Sequence, residues 1–226
     1  MVSNGKSSSL ILAEKPFVGS GTPPAAFYDA SRFKHNGIFT DLPRVQLPSL
    51  LQIMRFNGTS SSISFTDSPY MDSILSGDFT FCAWLKLPNF SASSMSIFRK
   101  RNGANGFCMY HDSSAYINFV SGNGSTSTYT ACYSTLKTGL WQFWLITRIN
   151  TSPFYVYIYC NGVDVTSNHQ AHASIAIPNL GLYIGSTQGA ASFFCGDMAL
   201  PKIWSRALST TEIFAIFNNE RAWFGV

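Results

Sequence analysis

Two segments alternate apolar with polar or aromatic positions at a period of two, the spacing that sends successive side chains to opposite faces of a β-strand. Over 77–87, Phe79, Phe81, Ala83, Leu85 and Leu87 share one face, against Thr80, Cys82, Trp84 and Lys86. Over 154–160, Phe154, Val156, Ile158 and Cys160 oppose Tyr155, Tyr157 and Tyr159. Both patterns predict a strand with one face in a core. If the two strands are neighbours, Trp84, Tyr155, Tyr157 and Tyr159 line a shallow groove in which flat rings meet the C–H faces of a sugar. These four are the candidate ligand-binding residues; the structural alternative places the rings in the core or under a loop.

Other β-branched and aromatic runs are separated by turn residues. Asn57-Gly58, Asn102-Gly103, Asn105-Gly106, Asn123-Gly124 and Asn161-Gly162 fall between such runs, and Asn-Gly tolerates the positive φ of tight hairpins. The pattern predicts antiparallel meanders. One helix is expected from Ser209 to about Asn219, opened by a capping box of Ser209 and Glu212, with Ile213, Ile216 and Phe217 on one face. Pro16 to Pro48 reads as loops draped over a sandwich. A single helix among many strands excludes a βαβ architecture, leaving an all-β antiparallel fold.

The length of 226 residues suits one large all-β domain. Within it, residues 1–24 read as an N-terminal strand and loop extension and 25–226 as the domain proper. Aromatic residues make up 15% of the chain and charged residues 12%. That balance builds a large core but leaves apolar surface for a partner to cover. No run approaches the ~20 apolar residues of a spanning helix, so membrane insertion is not expected. The net charge of +4 is modest; Arg99-Lys100-Arg101 reads as a solvated hairpin tip. Without a broad basic stripe, nucleic acid is not an expected partner. The cysteines, Cys82, Cys108, Cys132, Cys160 and Cys195, lie mostly in apolar runs and are odd in number, which predicts buried, reduced thiols. Residues 1–7 lack the apolar stretch of a secretory signal, so none is expected.

Catalytic chemistry is poorly served. Paired carboxylates for glycoside hydrolysis need acids alternating on a strand, yet the glutamates are Glu14, Glu212 and Glu220, two of them in or after the helix. Gly185-Ser186-Thr187-Gln188-Gly189 carries Thr where a nucleophile elbow needs Ser. His169 and His172 sit in a polar loop with no Cys or carboxylate beside them, a poor zinc set.

Several motifs occur in a familiar order: Tyr28-Asp29-Ala30-Ser31 before His35-Asn36-Gly37-Ile38-Phe39, then Phe56-Asn57-Gly58, then Gly77-Asp78-Phe79-Thr80-Phe81-Cys82-Ala83-Trp84. Trp141-Gln142-Phe143-Trp144 and Tyr157-Ile158-Tyr159-Cys160-Asn161-Gly162 follow, then Leu182-Tyr183-Ile184-Gly185 and Gly196-Asp197-Met198-Ala199-Leu200. This succession resembles the laminin-G-like, concanavalin A-like jelly-roll domains over roughly residues 25–220, although Arg32 stands where the family has Gly. The resemblance implies an antiparallel two-sheet jelly-roll sandwich with one short C-terminal helix. It also implies binding rather than catalysis. Several such relatives hold calcium through Asp, Asn and backbone oxygens, which makes Asp29, Asp164 and Asp197, with Asn36, the metal candidates; the same aspartates can serve as turn acceptors. No other cofactor is expected.

The combination of a lectin-like sandwich, free thiols, no signal and a Ser/Thr/Asn-rich exterior suits a non-enzymatic virion surface or accessory structural component. Such a protein would be located on the virion or an extracellular surface and work by packing against other copies of itself or virion proteins, with glycan contact as a further role. The alternative is a carbohydrate-binding, lectin-like module of a secreted or cell-surface bacterial protein.

Overall fold

The computed structural model describes residues 9–18, 25–88, 93–114, 116–133 and 136–226. Of the 1–24 extension, residues 1–8 and 19–24 lie outside this set. The described strands, numbered in chain order, form two antiparallel sheets. The first contains β1 (Leu10–Ala13), β4 (Arg44–Gln46), β5 (Gln52–Asn57), β7 (Phe79–Lys86), β12 (Gln142–Arg148), β13 (Val156–Cys160), β14 (Val163–Asp164) and β16 (Cys195–Trp204). The second contains β2 (Ala26–Phe27), β3 (Gly37–Thr40), β6 (Ser62–Phe65), β8 (Met95–Asn102), β9 (Asn105–His111), β10 (Ile117–Asn123), β11 (Ser127–Cys132) and β15 (Leu182–Ile184). Their orders are β14-β13-β12-β7-β16-β5-β4, with β1 also on β16, and β11-β10-β9-β8-β15-β6-β3-β2. The meanders β12-β13-β14 and β8-β9-β10-β11 are joined to the rest of each sheet by pairings between strands far apart in sequence, such as β7-β12 and β8-β15, and the all-β sandwich expected from the alternation is present.

Both predicted strand faces are found. Phe79, Phe81, Ala83, Leu85 and Leu87 enter the core between the sheets together with Val156, Ile158 and Cys160. The opposite positions Cys82, Trp84 and Tyr159 enter a second, smaller core on the outside of the first sheet. This second core exists because a helix lies over it. α2 (Thr210–Glu220) begins after the predicted capping box, in which Ser209 Oγ accepts from the Glu212 amide and Glu212 Oε2 accepts from the Ser209 amide at 2.9 Å. Ile213 is fully buried, with Ile216 and Phe217 packed beside it.

The Pro16–Pro48 stretch read as loops carries three short strands, β2, β3 and β4, that pair into the two sheets, and four further features depart from the sequence expectations. β7 and β13 are not neighbours: β12 runs between them, setting Trp84 opposite Phe143 and Cys82 and Tyr159 on either side of Leu145. A second helix, α1 (Pro69–Leu75), starts at a proline whose fixed φ and missing N–H suit a first turn; its seven residues are too few for a clear periodic signal. Asn105-Gly106 opens β9 instead of making a turn. By contrast, Asn161 and Gly162 both have positive φ, 51° and 81°, and close β13 onto β14 as a two-residue hairpin. A Cβ on Gly162 would meet the Phe214 ring at 3.1 Å, so this turn also sets how closely α2 can approach.

The last departure is Arg99-Lys100-Arg101. Lys100 is 1% exposed and points inward, paired with Asp67 and with Asp72 of α1 and donating to the Leu180 carbonyl. It ties α1 to β8. The cysteines carry no disulfide; Cys82, Cys108, Cys132 and Cys160 are buried and Cys195 is half-buried. Among the described residues no helix is long and apolar enough to cross a membrane.

Candidate binding site

The four-ring groove anticipated on the first sheet is not formed. Trp84 is fully buried: Phe224, in a 3₁₀ turn over Arg221–Phe224, stacks on it at 4.1 Å, Phe217 lies at 5.8 Å, and its indole N–H donates to Glu220 Oε2 at 2.9 Å. Tyr159 is 6% exposed in the same cluster. The alternation placed these rings on the correct face, but α2 and the turn after it cover that face. Tyr155 and Tyr157 stay accessible beyond the helix, 6.5 Å apart, with His169 edge-on to Tyr157 at 5.4 Å.

The metal candidates do not converge. Asp29 is buried among protein donors: its carboxylate accepts from the amides of Ala13, Ser31 and His35 and from Ser31 Oγ, while Asn36 Oδ1 accepts from the Asp29 amide. Asp197 forms a bidentate pair with Arg55 at 2.8 and 3.1 Å. Asp164 accepts from the Thr166 amide and hydroxyl in β14, with β13, β12 and β7 intervening before the β16 strand of Asp197. Each carboxylate therefore does turn or pairing work. Among the described residues, no three His, Cys, Asp or Glu side chains gather as a metal set.

The glutamates and the histidine pair are likewise engaged. Glu14 is buried against Arg44 at 2.6 Å and accepts from the Leu200 amide at 3.0 Å, holding a β16 bulge where Leu200 has φ 51°. Burial pushes its carboxyl up while Arg44 pulls it down. Glu212 pairs with Arg206, which together with the Ser209 cap holds its carboxyl down to about 2. Glu220 receives Trp84 and Lys202. His172 lies inside β10 and β11, between Ser121 Oγ at 2.7 Å and Thr130 Oγ1 at 2.9 Å. Burial, followed by Arg148, pushes the ring down to about 4, so it is neutral at pH 7.

The outer face of the second sheet offers what the first sheet lacks. Registered pairing aligns Arg99, Cys108, Val120 and Tyr129 across β8, β9, β10 and β11, and aligns Ser96 with Tyr110 in the row beside them. These side chains face away from the main core, which takes Phe98, Phe107, Met109 and Phe119 from the same strands. With Arg101, Thr187 and Ser192 they enclose a groove of about 230 Å³. Tyr129 is 46% exposed at its edge. Burial, with Tyr129 next, pushes the Tyr110 phenol up to about 12, keeping its hydroxyl protonated at pH 7.

The two arginines give the groove its charge. Neither forms a salt bridge among the described residues. Arg101 Nη2 donates to Ser127 Oγ at 2.8 Å, and Arg99 lies against the Cys108 thiol. Their Nε atoms are both buried without a hydrogen-bond partner, a cost that protein interiors seldom carry without a reason. A larger cleft of about 450 Å³ runs beside Phe17 and Tyr28, but its Asp29 and Arg44 are already spent on protein partners.

Comparisons with known proteins agree with this architecture. A family model described as the concanavalin A-like lectin/glucanases superfamily matches residues 57–214. None of the curated proteins matches the chain in sequence. Among solved structures, the crystal structure of HCR/D-Sa-GBL1/C is similar at 12% identity and TM-score 0.72, covering 95% of this chain and 53% of that one. The binding domain of Paraclostridial Mosquitocidal Protein 1 is similar at 14% identity and TM-score 0.71, with 95% and 53% covered. A botulinum neurotoxin type C structure, from a toxin whose cell entry depends on interaction with two ganglioside molecules, is similar at 13% identity and TM-score 0.70, with 94% and 51% covered. The chain thus spans about half the length of these structures, and at such identities the likeness is one of fold.

Proposed function

The chain belongs to the concanavalin A-like lectin/glucanases superfamily, and from that premise we propose that it is a non-enzymatic recognition module that binds glycans through the outer face of its second sheet. The observation that carries this is the groove of about 230 Å³ in which Tyr110 and Tyr129 stand among hydroxyls and guanidinium groups. Rings supply flat apolar walls for a pyranose and the polar groups meet its hydroxyls. Ganglioside dependence in the similar type C neurotoxin is consistent with a glycan role for this fold. The absence of catalysis is supported by Glu14, Glu212 and Glu220, all spent on pairing or capping and none facing a second free carboxylate.

A glycan array probed with the native protein tests the proposal, with Tyr129→Ala as the control. Glycan binding that falls in Tyr129→Ala, at unchanged circular dichroism, is the expected result. An empty array, or equal binding by both proteins, overturns it. Sugar turnover that survives repurification would overturn the non-enzymatic part.

A second proposal, a virion surface or accessory component on a particle or extracellular surface, draws support from apolar groups left in solvent around the β13–β14 turn. Val163 is 61% and Phe214 54% exposed there, a pair suited to packing against another copy or a virion protein. A native mass measurement tests it: an assembled species supports it, and a monomer at high concentration counts against it.

A further inference from the structure

We infer that the groove on the second sheet selects saccharides that carry a carboxylate, held by Arg99 and Arg101. The inference rests on the glycan proposal above and specifies the ligand class. Its first support is charge: two guanidinium groups line one small groove, and neither is neutralised by an acid among the described residues. Of the buried cations elsewhere, Arg44 is paired with Glu14 and Lys100 with Asp67 and Asp72, while fully buried Arg148 donates to the Ser76, Gly77 and Ala173 carbonyls and to Asn150 Oδ1.

The second support is the pair of buried Nε–H groups on Arg99 and Arg101, which have no acceptor among the described residues; Arg148 Nε shares this state but does not line the groove. A guanidinium presents Nε–H and Nη–H as a planar fork that matches the two oxygens of a carboxylate, a fit that a neutral hydroxyl cannot reproduce. Arg99 shares its row with Cys108, Val120 and Tyr129. A carboxylate on Arg99 therefore brings the sugar ring to which it is attached toward Tyr129, the exposed ring at the groove's edge. Ser96 and Ser192 in the lining can meet the remaining hydroxyls.

Size narrows the ligand further. At about 230 Å³ the groove lies below the ~300–1,000 Å³ usual for drug-sized ligands, so it takes one terminal sugar unit and leaves the rest of a chain in solvent. A terminal sialic acid and a terminal glucuronic acid both satisfy this chemistry, because each combines a carboxylate with a pyranose ring.

Isothermal titration of the native protein with sialyllactose, a glucuronic acid-terminated disaccharide, lactose and sulfated lactose tests the inference. At least one carboxylate sugar should bind about tenfold or more tightly than lactose, as a charge-assisted contact requires, and the preferred one names the source. Arg99→Gln should weaken the preferred carboxylate sugar far more than lactose, bringing the preference down to about twofold or less. Arg101→Gln, farther along the hairpin, gives the same readout if the Arg99 variant fails to fold. Equal affinity for acidic and neutral sugars, or a preference that survives both substitutions, overturns the inference and leaves the glycan proposal standing. Sulfated lactose binding as tightly as the best carboxylate sugar overturns the carboxylate assignment. If none of the four sugars binds and the glycan array is also empty, the glycan proposal itself fails.

Discussion

At the scale of single residues, exposure decides what a side chain can do. Trp84 and Tyr157 share the outer face of the first sheet, but Trp84 is sealed under Phe224 while Tyr157 remains partly open. Trp84→Ala should cost about 3–5 kcal/mol of unfolding free energy. Tyr157→Ala should cost much less and leave the circular dichroism unchanged; similar urea midpoints for the two variants would show that the second core is not packed as described. The thiols follow the same logic. Burial raises the pKa of Cys82, Cys108 and Cys160, which suppresses the reactive thiolate. A thiol reagent should modify little beyond half-buried Cys195 in the native protein, and rapid labelling of four or five thiols would contradict this. Burial of these cysteines was legible because they sit in apolar runs. The groove was not, since a run of three cations reads as a solvated tip. A strict period of two separates Arg99 and Arg101 from Lys100, but only strand pairing shows that their face also carries Tyr110 and Tyr129.

At the scale of elements, local signals located α2 and tertiary contacts decided its role. The capping box was visible in Ser209 and Glu212, and the helix begins at Thr210 as expected. What the helix covers depends on pairings of residues more than a hundred positions apart, which local periodicity does not encode. Ser209→Ala should cost about 1 kcal/mol, against about 2–5 kcal/mol for fully buried Ile213→Ala. Equal costs in denaturant titrations would mean that α2 does not seal the sheet. The loop crossing β10 and β11 carries a separate pH signature. His172 ordinarily titrates near 6.5 but is held to about 4 in the fold, so between these values the unfolded chain takes up a proton that the folded one refuses. The stability contributed by the neutral ring is complete above about pH 6.5 and is lost as the pH falls toward 4. Glu212, held down to about 2 from 4.5, loses its contribution in a lower window. Replacing His172 by Gln should therefore shrink the difference between urea midpoints at pH 7 and pH 5; an unchanged difference would place the acid sensitivity elsewhere.

For the whole molecule, the two outer faces of one sandwich have opposite fates. The first is closed over much of its area by α2 and the turn that follows; the second holds the groove, with the main core lying between them. Antiparallel pairing, hairpins and the sandwich were readable from alternation, Asn-Gly turns and motif order. Which face stays open was not, because both carry aromatic rings and only the path of the last eighteen residues distinguishes them. This separation predicts that the faces can be perturbed independently. Phe224 touches Trp84 at 4.1 Å and Trp141 at 4.8 Å, so Phe224→Ala should open the second core. Tryptophan fluorescence should become more accessible to acrylamide, and stability should fall by up to about 3–5 kcal/mol, with the lower part of that range favoured by the position of Phe224 near the chain end. Sugar affinity at the groove should stay within about twofold of the native protein, since sites with no shared partners behave additively. A parallel loss of sugar binding in a folded Phe224→Ala protein would show that the sheets transmit strain through the main core, and that the groove depends on the helix on the far side.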